Sequence, residues 1–265
     1  MISPLAHISA DAILGHNVKV DPFAVIHEDV RIGEGTHIMS GAVIMSGTII
    51  GKECLIFPGA VLGAVPQDLK FIGEKTTVEI GDNTTIRECV TINRGTQDRW
   101  KTVIGSNCLL MAYAHVAHDC VLGDNVILSN SVQLAGHVEV GDWAIIGGMA
   151  GAPQFSRIGA HCYVFGHTVI NKDVPPFMKA GRTPISYAGV NSVGLQRRGF
   201  SSEAINQILE IYRNLYNKGF NTSQALEFIE NDLPDSNERN AILSFIKESK
   251  RGIVKVFNKA DLDEN

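Results

Sequence analysis

Stepping six residues at a time from Ile2 to Ile170 reaches 29 positions, and 25 of them carry Ile, Leu or Val in one unbroken phase. Only Asp68, Glu74, Asp98 and Ala152 break the rule. A second rule holds four residues after each of these positions. There the side chain is Ala, Val, Thr, Cys or Ser in 27 of 29 cases, with Pro66 and Ile72 the exceptions. A period of six fits neither an amphipathic helix, which repeats about every 3.6 residues, nor the two-residue alternation of a simple strand. It is the mark of a solenoid. If each hexad supplies one short strand and one corner, three hexads close a triangular coil. Equivalent residues then stack at roughly the 4.8 Å strand spacing. The aliphatic side chain fills the interior and the small one fits where the prism is tight. Gly, Asn and Asp in between suit the left-handed backbone that corners require. Gly15, Gly33, Gly51, Gly81, Gly105, Gly123, Gly141 and Gly159 all directly follow an aliphatic position. Each coil buries its apolar face only against neighbours, so the array is the stable unit, and simple division of the repeat region implies about nine or ten coils.

Two stretches break the pattern without losing phase: residues 63–79 and residues 96–102. Both read as loops ejected from the prism. Loops on a rigid scaffold are favoured carriers of binding residues, so the first is a candidate wall of a site.

With 265 residues, 45% of them hydrophobic, and a net charge of −5, the chain reads as a soluble globular protein of two parts. The expected boundary lies between residues 190 and 191. No apolar run is long enough to span a bilayer, and the amino terminus lacks a basic region followed by an apolar core. No membrane insertion is expected, and a cytoplasmic location is the default. Cys54, Cys108, Cys120 and Cys162 all occupy the small-residue position, and Cys89 lies one residue earlier, so buried packing accounts for the first four. Their spacing suits neither a disulfide framework nor a thiolate zinc site.

Charge is uneven. Residues 1–170 carry 10 Lys and Arg against 16 Asp and Glu, whereas residues 171–260 carry 13 against 9. The second part can attract an acidic macromolecule. The repeat stops at Val174-Pro-Pro176, since consecutive prolines remove ladder donors, and a helical period follows. Ile205, Ile208, Leu209, Tyr212, Leu215 and Tyr216 form one apolar face after a cap at Ser201 or Ser202, with Gly219 placed to end the helix. A second helix follows Asn221, whose spacing to Gln224 is that of a capping box. A third carries Ile242, Leu243, Phe245 and Ile246 and is expected to end at Gly252. The tail Ala260–Asn265 is expected to fray.

Histidines cluster at His115 and His118, with His137 one coil further on. The three-hexad coil, used as a ruler, stacks His118, Gly136 and Gln154 on successive coils, so they line one edge within roughly 10 Å. A neutral imidazole can take a proton from an alcohol, and a glycine N–H beside it can receive charge developing on an acyl oxygen. That combination suits acyl transfer to a hydroxyl. Asp119 can orient the His118 ring only if a corner intervenes, because adjacent strand residues face opposite sides. His161 and His167 could join the same surface.

The runs Asn107 to Asp119, Leu134-Ala-Gly-His137, Ile145-Ile-Gly-Gly-Met149, Asp173-Val-Pro-Pro176 and Gly189 to Phe200 resemble the UDP-N-acetylglucosamine O-acyltransferase family of lipid A biosynthesis, over essentially the whole chain. The resemblance implies a mainly β fold, a left-handed parallel β-helix followed by a small α-helical carboxy-terminal domain. It implies transfer of an (R)-3-hydroxyacyl group from acyl carrier protein to the 3-hydroxyl of UDP-N-acetylglucosamine, by a homotrimer with sites between prisms. No metal, diffusible cofactor or nucleic-acid partner is implied. By this resemblance His118 is the general base, Asp119 its neighbouring carboxylate and Gly136 the oxyanion donor. Asp68 and Lys70 hold the sugar and acyl amide region, and His115, His137 and Gln154 are further substrate contacts. Asn191, Arg197 and Arg198 reach the nucleotide of a neighbouring subunit, two adjacent guanidiniums suiting phosphate. Gly166 leaves the acyl channel open, although Phe165 beside it is large, and a long chain is expected. Pro153, Asn93 and Val193 depart from the family's common His, His and Glu.

Three other readings compete. A zinc-dependent hexapeptide hydratase would use histidines across a subunit interface, and a non-catalytic scaffold would bind no UDP-sugar. The sibling N-acyltransferase carries a separate amino-terminal domain, whereas this chain repeats from Ile2. An acceptor with a 3-amino group in place of the 3-hydroxyl is compatible with the same residues.

Overall fold

The computed structural model describes residues 1–217 and 219–257, so the expectation for the 260–265 tail falls outside the described residues. Among the described residues, short parallel strands, mostly two residues long, run from His7–Ile8 to Tyr163–Val164 and wind into three sheets of eight, one of which is extended to 11 by Met178–Gly181, Ser186–Val190 and Lys255–Val256. Partners in successive coils keep the spacing of three hexads, as in His7 with Val25 and His115 with Gln133. The coil is a left-handed parallel β-helix. One interior row runs Ile26, Ile44, Leu62, Ile92, Val116 and Leu134, every member fully buried. Burying each such side chain contributes about 1.5–3 kcal/mol.

The corners differ from expectation in an instructive way. Most glycines that follow aliphatic positions, such as Gly33 and Gly123, are not residues with positive φ, Gly63 at 82° being an exception. A Cβ on Gly33 would lie 2.5 Å from the backbone of Gly51 in the next coil, so these glycines permit close stacking. The left-handed positions fall immediately before the small residue. Asn107, Tyr113, Asp119 and Trp143 are among the non-glycine side chains that fill them, with φ of 57°, 64°, 61° and 61°.

Val61 pairs with Thr91, and Thr91 in turn with His115. The first step exceeds one coil by two hexads and the second by one, which is why the phase survives both interruptions. The first loop, 65–76, lies inside the expected bounds because strands Val61–Ala64 and Thr77–Ile80 claim its ends. The second covers 94–100, since Lys101 and Thr102 already pair with Thr77 and Val78.

The coil also continues past the prolines. Val174 bridges Ile158, and strand Met178–Gly181 stacks in parallel on Tyr163–Val164. The prolines sit between these two pairings, where the ladder needs no donor. Ser186–Val190 then turns back antiparallel, and Lys255–Val256 pairs with it.

Among the described residues four helices follow rather than three: α1 (Ser192–Arg197), α2 (Ser202–Asn217), α3 (Thr222–Asp232) and α4 (Asn237–Lys247). Ser201 Oγ accepts the Ala204 N–H at 3.1 Å, which identifies the cap of α2. The Asn221–Gln224 capping box is complete. Helix α2 buries Ile208, Ile211, Tyr212 and Leu215. Leu209, expected on that face, is 37% exposed. Gly252 lies beyond α4, which ends at Lys247 with Glu248 as its cap. Among the described residues no helix is long and apolar enough to cross a membrane.

Candidate active site

Strand His115–Val116 ends in a corner, and Asp119 adopts a φ of 61° there. That turn satisfies the condition set by the sequence: it brings the carboxylate of Asp119 back to its neighbour, with Oδ2 2.8 Å from His118 Nδ1. Both side chains are buried, Asp119 completely. Burial opposes ionisation of Asp119, but hydrogen bonds from Thr96 and His118 outweigh it and hold its carboxyl below the usual carboxylate range. An ionised carboxylate only accepts, so His118 Nδ1 carries the proton and Nε2 keeps its lone pair.

Gly136 stacks on His118 one coil on. A Cβ at this position would come within 2.5 Å of His118 Cε1 and 2.6 Å of Nε2, so glycine is what lets the ring lie against the backbone. The N–H of Gly136 has no acceptor among the described residues, which leaves it available to a bound oxygen.

A groove of about 830 Å³ opens beside this pair, lined by Asp68, Lys70, His115, His118, Gly136 and Gln154 among others. The first loop forms its wall, with Lys70 N donating to Asp68 Oδ1 at 3.0 Å. Asn93 fixes the base of that loop through a 3.1 Å bond to the Val65 carbonyl. Pro153 lines the groove as well. His115 Nδ1 is 2.7 Å from Thr91 Oγ1, and burial holds its basicity below the ordinary histidine value.

His137 belongs to the same cluster but faces the other way. It lines a second groove with Arg99, Glu139, Phe155 and Arg157, stacks on Phe155 at 4.4 Å and meets His118 edge-on at 5.1 Å. Asp98 Oδ2 is 3.2 Å from its Nδ1 but without the angle of a hydrogen bond. Burial first, opposed by the charge of Asp119, lowers its affinity for a proton.

Within one chain, Asn191, Arg197 and Arg198 are not part of the groove. Asn191 Nδ2 donates to the His161 carbonyl at 2.9 Å, and Arg198 lies over Trp143 at 5.3 Å. Asn191 and Arg198 occupy the edge carrying Trp143 and His161, not the edge carrying His118. Arg197 is exposed, as is Val193. His161 therefore does not join the His118 surface. Gly166 stands at the third edge, where a Cβ would meet the Gly148 carbonyl at 3.0 Å, and it does not line the His118 groove.

Sequence reasoning missed Thr96, Arg99 and Thr102. Asp119 Oδ1 accepts N–H groups of Thr96 and Arg99, at 3.0 and 3.2 Å, and Oδ2 accepts the Thr96 hydroxyl at 2.7 Å. The Asp119 N–H donates to Thr102 Oγ1. Thr96 and Thr102 satisfy the small-residue rule and so pass as interior packing, and the only signal is that they flank the second interruption, which carries Arg99.

His118, Asp119 and His137 bring possible metal-ligating atoms within 4.8 Å of one another. They suit a zinc ion poorly. Asp119 already accepts four hydrogen bonds, and an ion drawing on its oxygens would displace them.

Comparison with known proteins agrees with this arrangement. The family model for domain 2 of UDP-N-acetylglucosamine O-acyltransferases matches residues 173–254, and the bacterial transferase hexapeptide model matches residues 29–64 and 101–136. An acyl-[acyl-carrier-protein]–UDP-N-acetylglucosamine O-acyltransferase of Thiobacillus denitrificans is 45% identical over 255 residues, covering 96% of this chain and 99% of that one. A UDP-N-acetylglucosamine acyltransferase of Bacteroides fragilis superposes with a TM-score of 0.94 at 49% identity, over 96% of this chain and 100% of that one. The Arabidopsis enzyme of the same name superposes at 0.84 with 31% identity, over 96% and 100% of the two chains. The repeat, the helical end and the groove together identify the chain as an acyltransferase that belongs to the UDP-N-acetylglucosamine O-acyltransferase family.

Proposed function

We propose that this protein moves an (R)-3-hydroxyacyl group from the thioester of acyl carrier protein to the 3-hydroxyl of UDP-N-acetylglucosamine, the first step of lipid A biosynthesis, in the cytoplasm. His118 Nε2 takes the hydroxyl proton as the sugar oxygen bonds to the thioester carbon. The Gly136 N–H donates to the carbonyl oxygen as it becomes an oxyanion, and Asp119 stabilises the imidazolium through Nδ1–H. Collapse of the tetrahedral adduct breaks the carbon–sulfur bond, and the imidazolium proton passes to the departing thiolate.

The observation that carries this reading is the 2.8 Å contact between His118 Nδ1 and Asp119 Oδ2, with Gly136 packed against the ring. It fixes the tautomer a general base needs, beside an unused donor. Asp68, Lys70, His115 and Gln154 line the same groove and serve as contacts to the sugar and the acyl amide. His137 supports the cluster from behind. Asn191, Arg197 and Arg198 act on the groove of a neighbouring copy in a homotrimer, where their guanidiniums meet the diphosphate. Gly166, with no side chain, lines the acyl channel and favours a long chain. The test is to incubate the enzyme with carrier-protein thioesters of graded length and with UDP-sugars bearing a 3-hydroxyl or a 3-amino group, then weigh the products. A mono-O-acylated product from the 3-hydroxyl sugar and a long thioester is expected. Preferential N-acylation would refute the acceptor assignment, and preference for a short thioester would refute the chain length.

A further inference from the structure

The 94–100 insertion adds one hexad to a single coil and lines no part of the His118 groove. Its position is nonetheless specific. Of the four hydrogen bonds reaching the fully buried carboxylate of Asp119, three come from this insertion and the fourth from His118. Two of the three come from Thr96, which is itself only 7% exposed.

We propose that Thr96 is a positioning residue that sets the orientation of Asp119 and, through it, the His118 ring. This rests on His118 acting as the base. The hydroxyl of Thr96 and Nδ1 of His118 converge on the same oxygen, Oδ2, at 2.7 and 2.8 Å. Rotation of the carboxylate would break both contacts at once. The Thr96 and Arg99 N–H groups hold Oδ1. Among the described residues the Thr96 hydroxyl is the one donor besides His118 on Oδ2, the oxygen that receives Nδ1–H. Its own orientation is fixed in turn, because Oγ1 accepts the Asp98 N–H at 3.3 Å and the Trp100 N–H closes on the Thr96 carbonyl at 2.7 Å. An uninterrupted coil has no backbone here to hold the carboxylate. A role limited to satisfying a buried carboxylate would alter stability alone.

The test compares full-length Thr96→Val, Thr96→Ser and His118→Ala. Valine keeps the volume and the backbone N–H and removes only the hydroxyl. The expected result is a kcat lowered about tenfold, the scale of a misdirected base, with KM for the UDP-sugar within about twofold and recovery in Thr96→Ser. A Thr96→Val enzyme with wild-type kcat, or a serine variant as impaired as valine, overturns the assignment. Should valine prevent folding, Thr96→Cys, with similar volume and a weak donor, must give an intermediate kcat; a wild-type value overturns it. An active His118→Ala enzyme removes the base itself. An inactive His118→Ala beside a fully active Thr96→Val removes only the role of Thr96.

Discussion

At the scale of single residues, His118 is held between a carboxylate and a missing side chain. The Gly136→Ala enzyme should show how much depends on the latter. The added methyl would lie 2.5 Å from His118 Cε1, so the ring must move off the backbone and lose its line to Asp119. A fall in kcat of about a hundredfold is expected, the cost of roughly an ångström of misplacement, and steady-state kinetics of the folded variant measures it. The sequence ruler made His118 and Gly136 legible as stacked neighbours. It could not reveal that Asp119 adopts a left-handed φ of 61°, because the residue type at these corners varies from Asn to Trp. A second residue carries a pH signature. Burial, and then the charge of Arg198, hold His161 down to about 4 from its ordinary 6.5. The unfolded chain therefore takes up this proton first. The contribution of His161 to stability is complete above pH 6.5 and is lost as pH falls through the interval towards 4. Thermal melts of His161→Gln should show a flatter decline across that interval than the wild type.

At the scale of elements, the two ejected loops act on each other. Adjacent N–H groups in the second loop point to different partners: Thr96 to Asp119 at 3.0 Å, and Gln97 to Glu74 of the first loop at 3.1 Å. Glu74 also accepts from Ile72, while Arg94 lies over Phe71 at 5.5 Å. The wall carrying Asp68 and Lys70 is thus moored to the loop that holds Asp119. Glu74→Gln weakens one mooring at an exposed site, so KM for the UDP-sugar should rise about threefold, as suits a weak exposed contact, with kcat little changed. Initial-rate kinetics at saturating thioester checks this. The existence of both loops was legible in Asp68, Glu74 and Asp98, the polar residues standing at aliphatic positions. Their contact was not, because insertions of whole hexads preserve the phase while leaving their own paths unspecified. The prolines misled for a related reason: Pro175 and Pro176 signalled a lost donor, but the coil needed none there and resumed at Met178.

At the scale of the whole molecule, one chain carries the proposed site in two separated pieces. His118 and its groove occupy one edge, and Arg198 with Asn191 another, against Trp143 and His161. A shared site in a trimer predicts complementation. His118→Ala and Arg198→Ala chains, unfolded and reassembled together in equal amounts, should regain about a quarter of wild-type activity, the fraction of interfaces with both halves intact in a random cyclic trimer. Activity no greater than the sum of the separate variants would refute the shared site. The solenoid was legible in the repeat because each coil obeys the same packing rule, whereas assembly depends on side chains that repeat nowhere. The most direct test of the account is the rate at which folded His118→Ala protein forms 3-O-acylated UDP-N-acetylglucosamine from the carrier-protein thioester. A loss of at least about a hundredfold in kcat, the scale of a removed general base, is predicted, and transfer near the wild-type rate would contradict it.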